Sequence, residues 1–316
     1  MPPNEATADS HDVVVNVEGL TKSFGGKTVV RDLSMQVRRG QIYGFLGPNG
    51  SGKTTTLRML CGLLTPDSGH GTALGYDITR QSAEIRRHVG YMTQRFSLYE
   101  DLSIEENLEF VGRVYGLPDP HGAAQAALES LGLVERRQQL AGQLSGGWKQ
   151  RLALGACILP KPLLLLLDEP TAGVDPKARR EFWAEIHKLA NAGITVLVST
   201  HYMDEAERCH EVAYIANGRL LTRGTIEQVV SQAGLHTYTV SSSNPSTLAD
   251  ELAALPGVDM VAPFGPNLHV AGRDAEALDR AIATVKSREG VTVTSAKPSL
   301  EDVFISLMTQ RQDTDP

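Results

Sequence analysis

The sequence is poor in cysteine, in aromatic residues and in long apolar runs. It has three cysteines among 316 residues and 5% aromatic residues. Because Cys61, Cys157 and Cys209 are far apart and odd in number, the sequence predicts neither a disulfide framework nor a zinc site. We expect them to be buried small side chains. The longest dense apolar stretch, Leu163 to Leu167, is far shorter than the roughly 20 residues of a membrane-spanning helix, so a soluble chain is expected.

The sequence also lacks an excess of positive charge and a visible export signal. Lys and Arg total 30 against 37 Asp and Glu, for a formal charge of −7. General binding to nucleic acid is disfavoured, because such proteins need a cationic face against phosphate. The first twelve residues have no basic segment followed by an apolar one, so they indicate a polar tail.

The length predicts more than one folding unit. Residues 13–235 alternate apolar strands and amphipathic helices, with a mainly helical stretch at about 102–160. Composition changes near Gly234, and 236–309 follow the order strand, helix, two strands, helix, strand, with a closing helix. The predicted class is α/β for the first domain, with a small α+β domain of βαββαβ type after it and polar tails at 1–12 and 310–316.

A phosphate-binding loop follows an early apolar strand. The segment GPNGSGKT fits G-x-x-x-x-G-K-S/T and precedes a helical pattern, as a P-loop requires. Glycines let successive backbone N–H groups converge on phosphate, while Lys53 would reach the β/γ-phosphates and Thr54 would ligate Mg²⁺. The predicted contacts with the nucleotide are Gly47, Pro48, Asn49, Gly50, Ser51, Gly52, Lys53, Thr54 and Thr55.

Two further segments are candidates for the same chemistry. Asp168-Glu169 ends an apolar strand at the sheet edge where ligands of α/β folds bind. There Asp168 could hold Mg²⁺ and Glu169 could accept a proton from water. Ser145-Gly146-Gly147 precedes a helix and would form a second anion site, although local physics alone favours an ordinary N-cap with flexible glycines.

Taken in order, these motifs resemble the ATP-binding subunit of an ATP-binding-cassette (ABC) transporter, whose domain is a P-loop NTPase cassette with a mixed sheet and a helical subdomain. They are GPNGSGKTT, Gln94 in YMTQRFSLYEDLS, LSGGWKQR, LLLLLDEPTAGVD and STH. The signature wording, STHYMDEAE and the terminal SLEDVFISL are similar to ATPases of drug or antibiotic exporters, whose membrane subunits are separate chains.

The resemblance implies a head-to-tail dimer, as a homodimer or with a paralogous subunit. ATP would lie between the Lys53 loop of one subunit and Ser145–Gly147 of the other, at the cytoplasmic face of the membrane under a separate permease. By the same resemblance Phe24 is the adenine platform, although a core phenylalanine is an alternative. Further implied roles fall on Gln94, which would sense Mg²⁺ and water, on His201, which would bond the γ-phosphate, and on Asp175, which would lie at the dimer interface.

Two details remain open from the sequence. Trp148 stands where the family usually has glutamine, which removes an amide near the second anion site and adds an aromatic surface. Phe96, Leu98 and Tyr99 beside Gln94 indicate either part of the permease contact or buried core residues.

The rival functions are a ribosome- or DNA-associated ABC ATPase, an importer ATPase and a non-catalytic regulatory module. A single cassette without sustained heptads disfavours the first of these. The short mixed α/β tail disfavours the importer, and the presence of both Glu169 and His201 disfavours a module without catalysis. Export of drugs or other amphipathic compounds is therefore expected, while the transported substrate is not encoded in these residues.

Overall fold

The computed structural model describes residues 12–312. The chain divides into two compact units after Leu220. Of the predicted polar tails, residues 1–11 and 313–316 lie outside the described residues. No helix within the described range is long and apolar enough to cross a membrane.

The first unit combines two sheets with flanking helices. Its strands are β1 (Val13–Phe24), β2 (Lys27–Arg38), β3 (Ile42–Leu46), β4 (Ser68–Ala73), β5 (Tyr76–Asp77), β6 (Val89–Met92), β7 (Leu164–Asp168), β8 (Thr195–Thr200), β9 (Glu211–Ala216) and β10 (Arg219–Gly224). Its helices are α1 (Lys53–Leu60), α2 (Ser82–His88), α3 (Ile104–Val114), α4 (Pro120–Ser130), α5 (Gly146–Ile158), α6 (Pro176–Asn191) and α7 (Met203–Ala206).

The six-stranded sheet of this unit places the chemical motifs at one edge. Its order is β10-β9-β3-β8-β7-β6, with parallel pairing from β9 to β6. Every residue of β3, β7 and β8 is buried, as expected for parallel strands covered on both faces. Because parallel strands end at the same edge, the segments that follow β3, β7 and β8 come together.

The second sheet of this unit is antiparallel and has the order β2-β1-β4-β5. Its inward residues share one core with β3 and α1, including Leu20, Leu33 and Leu57, all fully buried. Because β3 and α1 both belong to this core, the loop that joins them is anchored at both ends.

Local capping signals in the sequence define several helix starts. Ser103 and Glu106 form a capping box at α3, and Asp175 caps α6 by accepting from the N–H groups of Lys177 and Ala178, both at 3.0 Å. The predicted hairpin turn at Asn217 joins β9 to β10, with Asn217 at φ 51°.

The second unit is built on a four-stranded antiparallel sheet. Its elements are α8 (Ile226–Gln232), β11 (His236–Ser242), α9 (Pro245–Ala253), β12 (Met260–Phe264), β13 (Asn267–Gly272), α10 (Ala275–Lys286), β14 (Val291–Ala296) and α11 (Leu300–Gln312). The strand order is β12-β13-β11-β14. The predicted βαββαβ order is confirmed, and Val240, Leu268 and Val270 form a core with α9 and α10.

The division between the units lies earlier than the boundary at 235/236 predicted from composition. It falls inside β10, and α8 groups with the second unit, where it packs against α11. Composition shows no change at 220 because β10 and α8 have ordinary globular sequences. The closing helix, predicted from Leu300 to Met308, is α11 and continues to Gln312, beyond the predicted domain end at 309.

The cysteines have the environment of unreactive thiols. Cys61 and Cys209 are buried. Burial raises the pKa of Cys61 to about 11 and that of Cys157 to about 12. Because thiolate is the reactive form, these side chains are inert near neutral pH.

Candidate functional site

The loop between β3 and α1 requires glycine at two close backbone contacts. Gly52, the N-cap of α1, has φ 101°, and a Cβ there would lie 2.7 Å from the carbonyl oxygen of Val29. A Cβ on Gly47 would lie 2.0 Å from the carbonyl oxygen of Ile215. The loop therefore packs directly against neighbouring backbone. The first turn of α1, which follows it, has N–H groups without partners inside the helix, and such groups bind anions.

Lys53 is the first residue of α1, and its side chain is only 4% exposed. Its Nζ donates hydrogen bonds to the carbonyl oxygens of Gly47 at 2.7 Å and Pro48 at 3.0 Å, and it lies 3.5 Å from Oε1 of Glu169. Burial lowers the pKa of Lys53, while Glu169 and then Asp168 oppose the shift. The ammonium group of Lys53 is thus held by the backbone of the loop that precedes it.

Asp168 ends β7 and is 1% exposed. Its Oδ1 accepts hydrogen bonds from Thr54 Oγ1 at 3.0 Å and Ser199 Oγ at 2.7 Å. The hydroxyl of Tyr91 lies 3.4 Å from Oδ2. The carboxylate and the Thr54 hydroxyl are therefore adjacent, as shared ligands of one cation would be.

Glu169 lies at the centre of the site. It has φ 47°, a left-handed conformation that is uncommon for a residue with a side chain. Its N–H is held by the carbonyl oxygen and the hydroxyl of Ser199. Its Oε2 accepts a hydrogen bond from Gln94 Nε2 at 2.9 Å and lies 3.5 Å from His201 Nδ1. Strain of this kind at a chemical group is typical of active sites.

Of these residues, Lys53, Thr54, Gln94 and Glu169 line a cavity of about 360 Å³. Two buried polar atoms of the region, Ser51 Oγ and His201 Nδ1, have no hydrogen-bond partner within the described residues. Unpartnered polar groups beside a buried cation and a helix N-terminus suit a polyanionic ligand. The cavity is lined by Val29, Asn49, Gly50, Gly52, Lys53, Thr54, Thr55, Gln94 and Glu169.

Ser145, Gly146, Gly147, Asp175 and Phe24 do not line this cavity. The first three form the N-cap and first turn of α5, where the Ser145 side chain caps no helical N–H. A Cβ on Gly147 would lie 2.6 Å from Cβ of Ala178, so α5 starts tightly against α6. Phe24 ends β1 with its side chain 50% exposed, which is not the position of a core residue.

Trp148 is held by two cations of its own subunit. The guanidinium carbon of Arg136 lies 4.8 Å from the centre of the indole ring, and that of Arg151 lies 5.2 Å from it. Arg151 also bonds the carbonyl oxygen of Leu131 at 3.1 Å and the carboxylate of Glu181 at 2.7 Å. The indole thus fastens the start of α5 to the turn at 134–136.

Ser199 and Tyr91 both contact Asp168, although neither was predicted from the sequence as a site residue. Ser199 directly pairs with Asp168 in the parallel β7–β8 register, and Tyr91 lies on the adjacent β6. A signal existed for Ser199, since a hydroxyl at the end of a buried strand beside an acidic strand end is unusual. No sequence signal pointed to Tyr91, because its contact with Asp168 depends on β6 being the neighbour of β7 in the sheet.

The sequence is similar to those of proteins of a known family. A family model described as ABC transporter matches residues 30–172. The Nod factor export ATP-binding protein I of Burkholderia lata is 37% identical over 297 residues, which cover 93% of this chain and 96% of that protein. The chain belongs to the ATP-binding subunits of ABC transporters. The family predicted from the motifs is therefore confirmed, and its enzyme class is that of the ABC ATPases.

Other relatives of this ABC subunit carry related names. The linearmycin resistance ATP-binding protein LnrL of Bacillus subtilis is 38% identical over 74% of this chain and 78% of that protein. The probable multidrug ABC transporter ATP-binding protein YbhF of Escherichia coli is 44% identical over 70% of this chain. That match spans 39% of the length of YbhF.

Solved structures show the same cassette fold. A structure described as the ATP binding subunit of an ABC transporter has a TM-score of 0.63 and 29% identity, covering 70% of this chain and 93% of that one. For cbiO1 from Clostridium perfringens, described as part of the complex cbiONQ, the TM-score is 0.64 and the identity 27%, over 70% of this chain and 92% of that one. The predicted α/β cassette fold is confirmed.

Proposed function

We propose that this chain binds and hydrolyses ATP to drive an ABC exporter for drugs or other amphipathic compounds. The observation that supports it best is the convergence on Glu169 of a buried lysine, an amide and a histidine: Lys53, Gln94 and His201. A carboxylate with these neighbours beside a phosphate loop suits phosphoryl transfer to water.

Nucleotide binding follows from the loop and α1. The N–H groups of residues 50–55 and the Lys53 ammonium would hold the phosphates, and Ser51 Oγ would gain the partner that it lacks. Phe24, exposed at the end of β1, would stack on adenine. Thr54, Asp168 and Gln94 would hold Mg²⁺, which when bound neutralises phosphate charge.

Hydrolysis needs a base and a γ-phosphate contact in one place. Glu169 would accept the proton of the attacking water, while Gln94 keeps its carboxylate oriented through the 2.9 Å hydrogen bond. His201, whose Nδ1 lacks a hydrogen-bond partner, would bond the γ-phosphate. Lys53 would stabilise the charge that develops on the transferred group.

The second anion site is assigned to a partner subunit. Ser145, Gly146 and Gly147 lie outside the Lys53 cavity, and the Ser145 hydroxyl caps no N–H of α5. A head-to-tail dimer, homomeric or with a paralogous subunit, would bring this helix N-terminus to the γ-phosphate held by the other copy. Asp175, which caps α6, would lie at the same interface.

The permease contact is assigned to the segment after Gln94. Phe96 and Leu98 are half-buried and line a groove of about 150 Å³, and Tyr99 is 52% exposed. None of the three is a core residue, so the segment offers apolar surface beside a catalytic amide. A separate permease bound there would place the chain at the cytoplasmic face of a membrane. The names of relatives that concern Nod factor export, linearmycin resistance and multidrug transport support export of amphipathic molecules.

The decisive experiment is Glu169→Gln in the purified full chain. ATP binding should persist, turnover should fall by about 10²–10⁴-fold because the base is lost, and size-exclusion chromatography with MgATP should show a trapped dimer. Glu207→Gln, which changes an exposed carboxylate just after α7, is the matched control and should hydrolyse ATP normally. Near-normal hydrolysis by Glu169→Gln would contradict the assignment.

The permease contact is tested separately. A membrane protein with several spans encoded by the adjacent reading frame should copurify with this chain, and Leu98→Asp should weaken that copurification without changing ATP binding. Copurification that Leu98→Asp leaves at the wild-type level would contradict the proposed contact.

A further inference from the structure

Glu205 is a buried carboxylate that takes no part in the cavity. It lies on the short helix α7, four residues after His201, and is 1% exposed. A buried carboxylate is tolerated when other groups pair with it and donate hydrogen bonds to it. The partners of Glu205 therefore show what this charge is arranged to hold.

Those partners come from three different segments. Glu205 Oε1 accepts a hydrogen bond from the hydroxyl of Thr171, and it lies 3.4 Å from Nε of Arg179. Among the described residues, Arg179 Nε makes no hydrogen bond, so its contact with Glu205 is an ion pair. Glu205 Oε2 accepts a hydrogen bond from Thr200 Oγ1 at 2.7 Å.

Each of these segments carries a residue of the proposed ATPase site. Thr171 is two residues after the proposed base, and Thr200 immediately precedes His201. Arg179 lies on α6, near the end that Asp175 caps. One carboxylate thus links the chain after β7, the chain after β8 and the start of α6.

A second set of contacts strengthens the link to His201. The guanidinium of Arg179 lies 4.3 Å from the ring centre of Tyr202, whose ring centre lies 4.1 Å from that of His201. The Thr200 hydroxyl also accepts a hydrogen bond from the Tyr202 N–H at 3.0 Å. This hydroxyl donates a hydrogen bond to Glu205 and accepts one from Tyr202. The residues before and after His201 are therefore both hydrogen-bonded through Thr200.

We propose that Glu205 is a positioning residue for ATP hydrolysis, which sets the relative placement of Glu169 and His201 without touching ATP. This inference rests on the proposed function. Misplacement of reacting groups by about 1 Å can lower a rate by about 100-fold while ground-state binding survives. Neutralising Glu205 should therefore lower kcat rather than raise KM.

The first test is Glu205→Gln in the purified full chain, with steady-state MgATP hydrolysis as the readout. We expect kcat to fall by about 10–100-fold while KM changes by less than about 3-fold. Circular dichroism gives the folded fraction, and kcat is expressed per folded molecule. A kcat within about 2-fold of wild type would overturn the proposal.

Two conservative substitutions of Thr200 test the same hydrogen bonds if the Glu205→Gln variant does not fold. Thr200→Ser keeps the hydroxyl that bonds Glu205, whereas Thr200→Val keeps the shape and removes it. The serine variant should retain wild-type kcat, and the valine variant should lose about 10-fold. Equal kcat values for the two variants would also overturn the proposal.

Asp302→Asn is the matched control for loss of a buried carboxylate. Asp302 is 2% exposed in the second unit, where it accepts from the Ser299 N–H at 2.7 Å and contacts His269 at 3.1 Å. The Asp302→Asn variant should have a lower unfolding temperature and an unchanged kcat. If its kcat fell as much as that of Glu205→Gln, a specific role for Glu205 would be overturned. Absence of ATPase activity in the wild-type chain would instead overturn the proposed function, so the two failures are distinguishable.

Discussion

The two cations around Trp148 predict a measurable coupling energy between its indole and Arg136. Arg136 is the better partner to change, because Arg151 has further bonds to a carbonyl oxygen and to Glu181. The guanidinium of Arg136 is exposed and lies 4.8 Å from the ring centre, within the range of a cation–π contact. Such a contact contributes about 0.5–1 kcal/mol at an exposed site.

Loss of the whole indole should cost more than loss of Arg136. Trp148→Ala removes two cation–π contacts, or about 1–2 kcal/mol together, plus the packing of a half-buried ring. We expect a total loss of about 2–3 kcal/mol in the free energy of unfolding of the first unit. Trp148→Phe keeps an aromatic face and should lose about half as much.

The assay is urea unfolding followed by the fluorescence of Trp183. The sequence has two tryptophans, so in a Trp148 variant Trp183, which is 1% exposed in the core, becomes the sole tryptophan reporter of the first unit. With a slope of about 2 kcal/mol/M, a loss of 2–3 kcal/mol moves the midpoint by about 1–1.5 M. In the wild-type background Trp148 contributes to the signal, so circular dichroism serves as a common second probe.

A double-mutant cycle isolates the contact itself. Arg136→Met should destabilise the wild-type chain by about 0.5–1 kcal/mol and should have little effect when residue 148 is alanine. A coupling energy indistinguishable from zero, or an unchanged midpoint for Trp148→Ala, would refute the view that the indole fastens α5 to the turn at 134–136.

Three further predictions follow from other contacts. Gly47→Ala places a Cβ 2.0 Å from the Ile215 carbonyl oxygen and should destabilise the first unit by about 1–3 kcal/mol in urea unfolding. Gln94→Ala removes the hydrogen bond that orients Glu169 and should lower kcat about 10-fold, measured by steady-state kinetics. Burial lowers the pKa of His187, so stability is lost as pH falls below about 6.5, and His187→Asn should flatten the dependence of unfolding temperature on pH between 7 and 5.

The fold could be predicted from the sequence where local chemistry is sufficient. The capping box at Ser103, the N-cap at Asp175 and the turn at Asn217 each depend on a few neighbouring residues, and all three are in the structure. The βαββαβ order also followed from local periodicity. The division between the two units could not be predicted, because it depends on α8 packing with α11, far along the chain.

For the candidate site, the sequence by itself determined the residue types: a glycine loop with Lys53, an acidic pair, a glutamine and a histidine. The sequence could determine these residue types because binding of phosphate and Mg²⁺ requires such groups at recognisable spacings along the chain. Only the tertiary structure decided that Ser199 bonds Asp168, that Glu205 links three segments and that Trp148 is held by two arginines. These contacts join residues that strand order and helix packing bring together, and no local pattern in the chain encodes such distances.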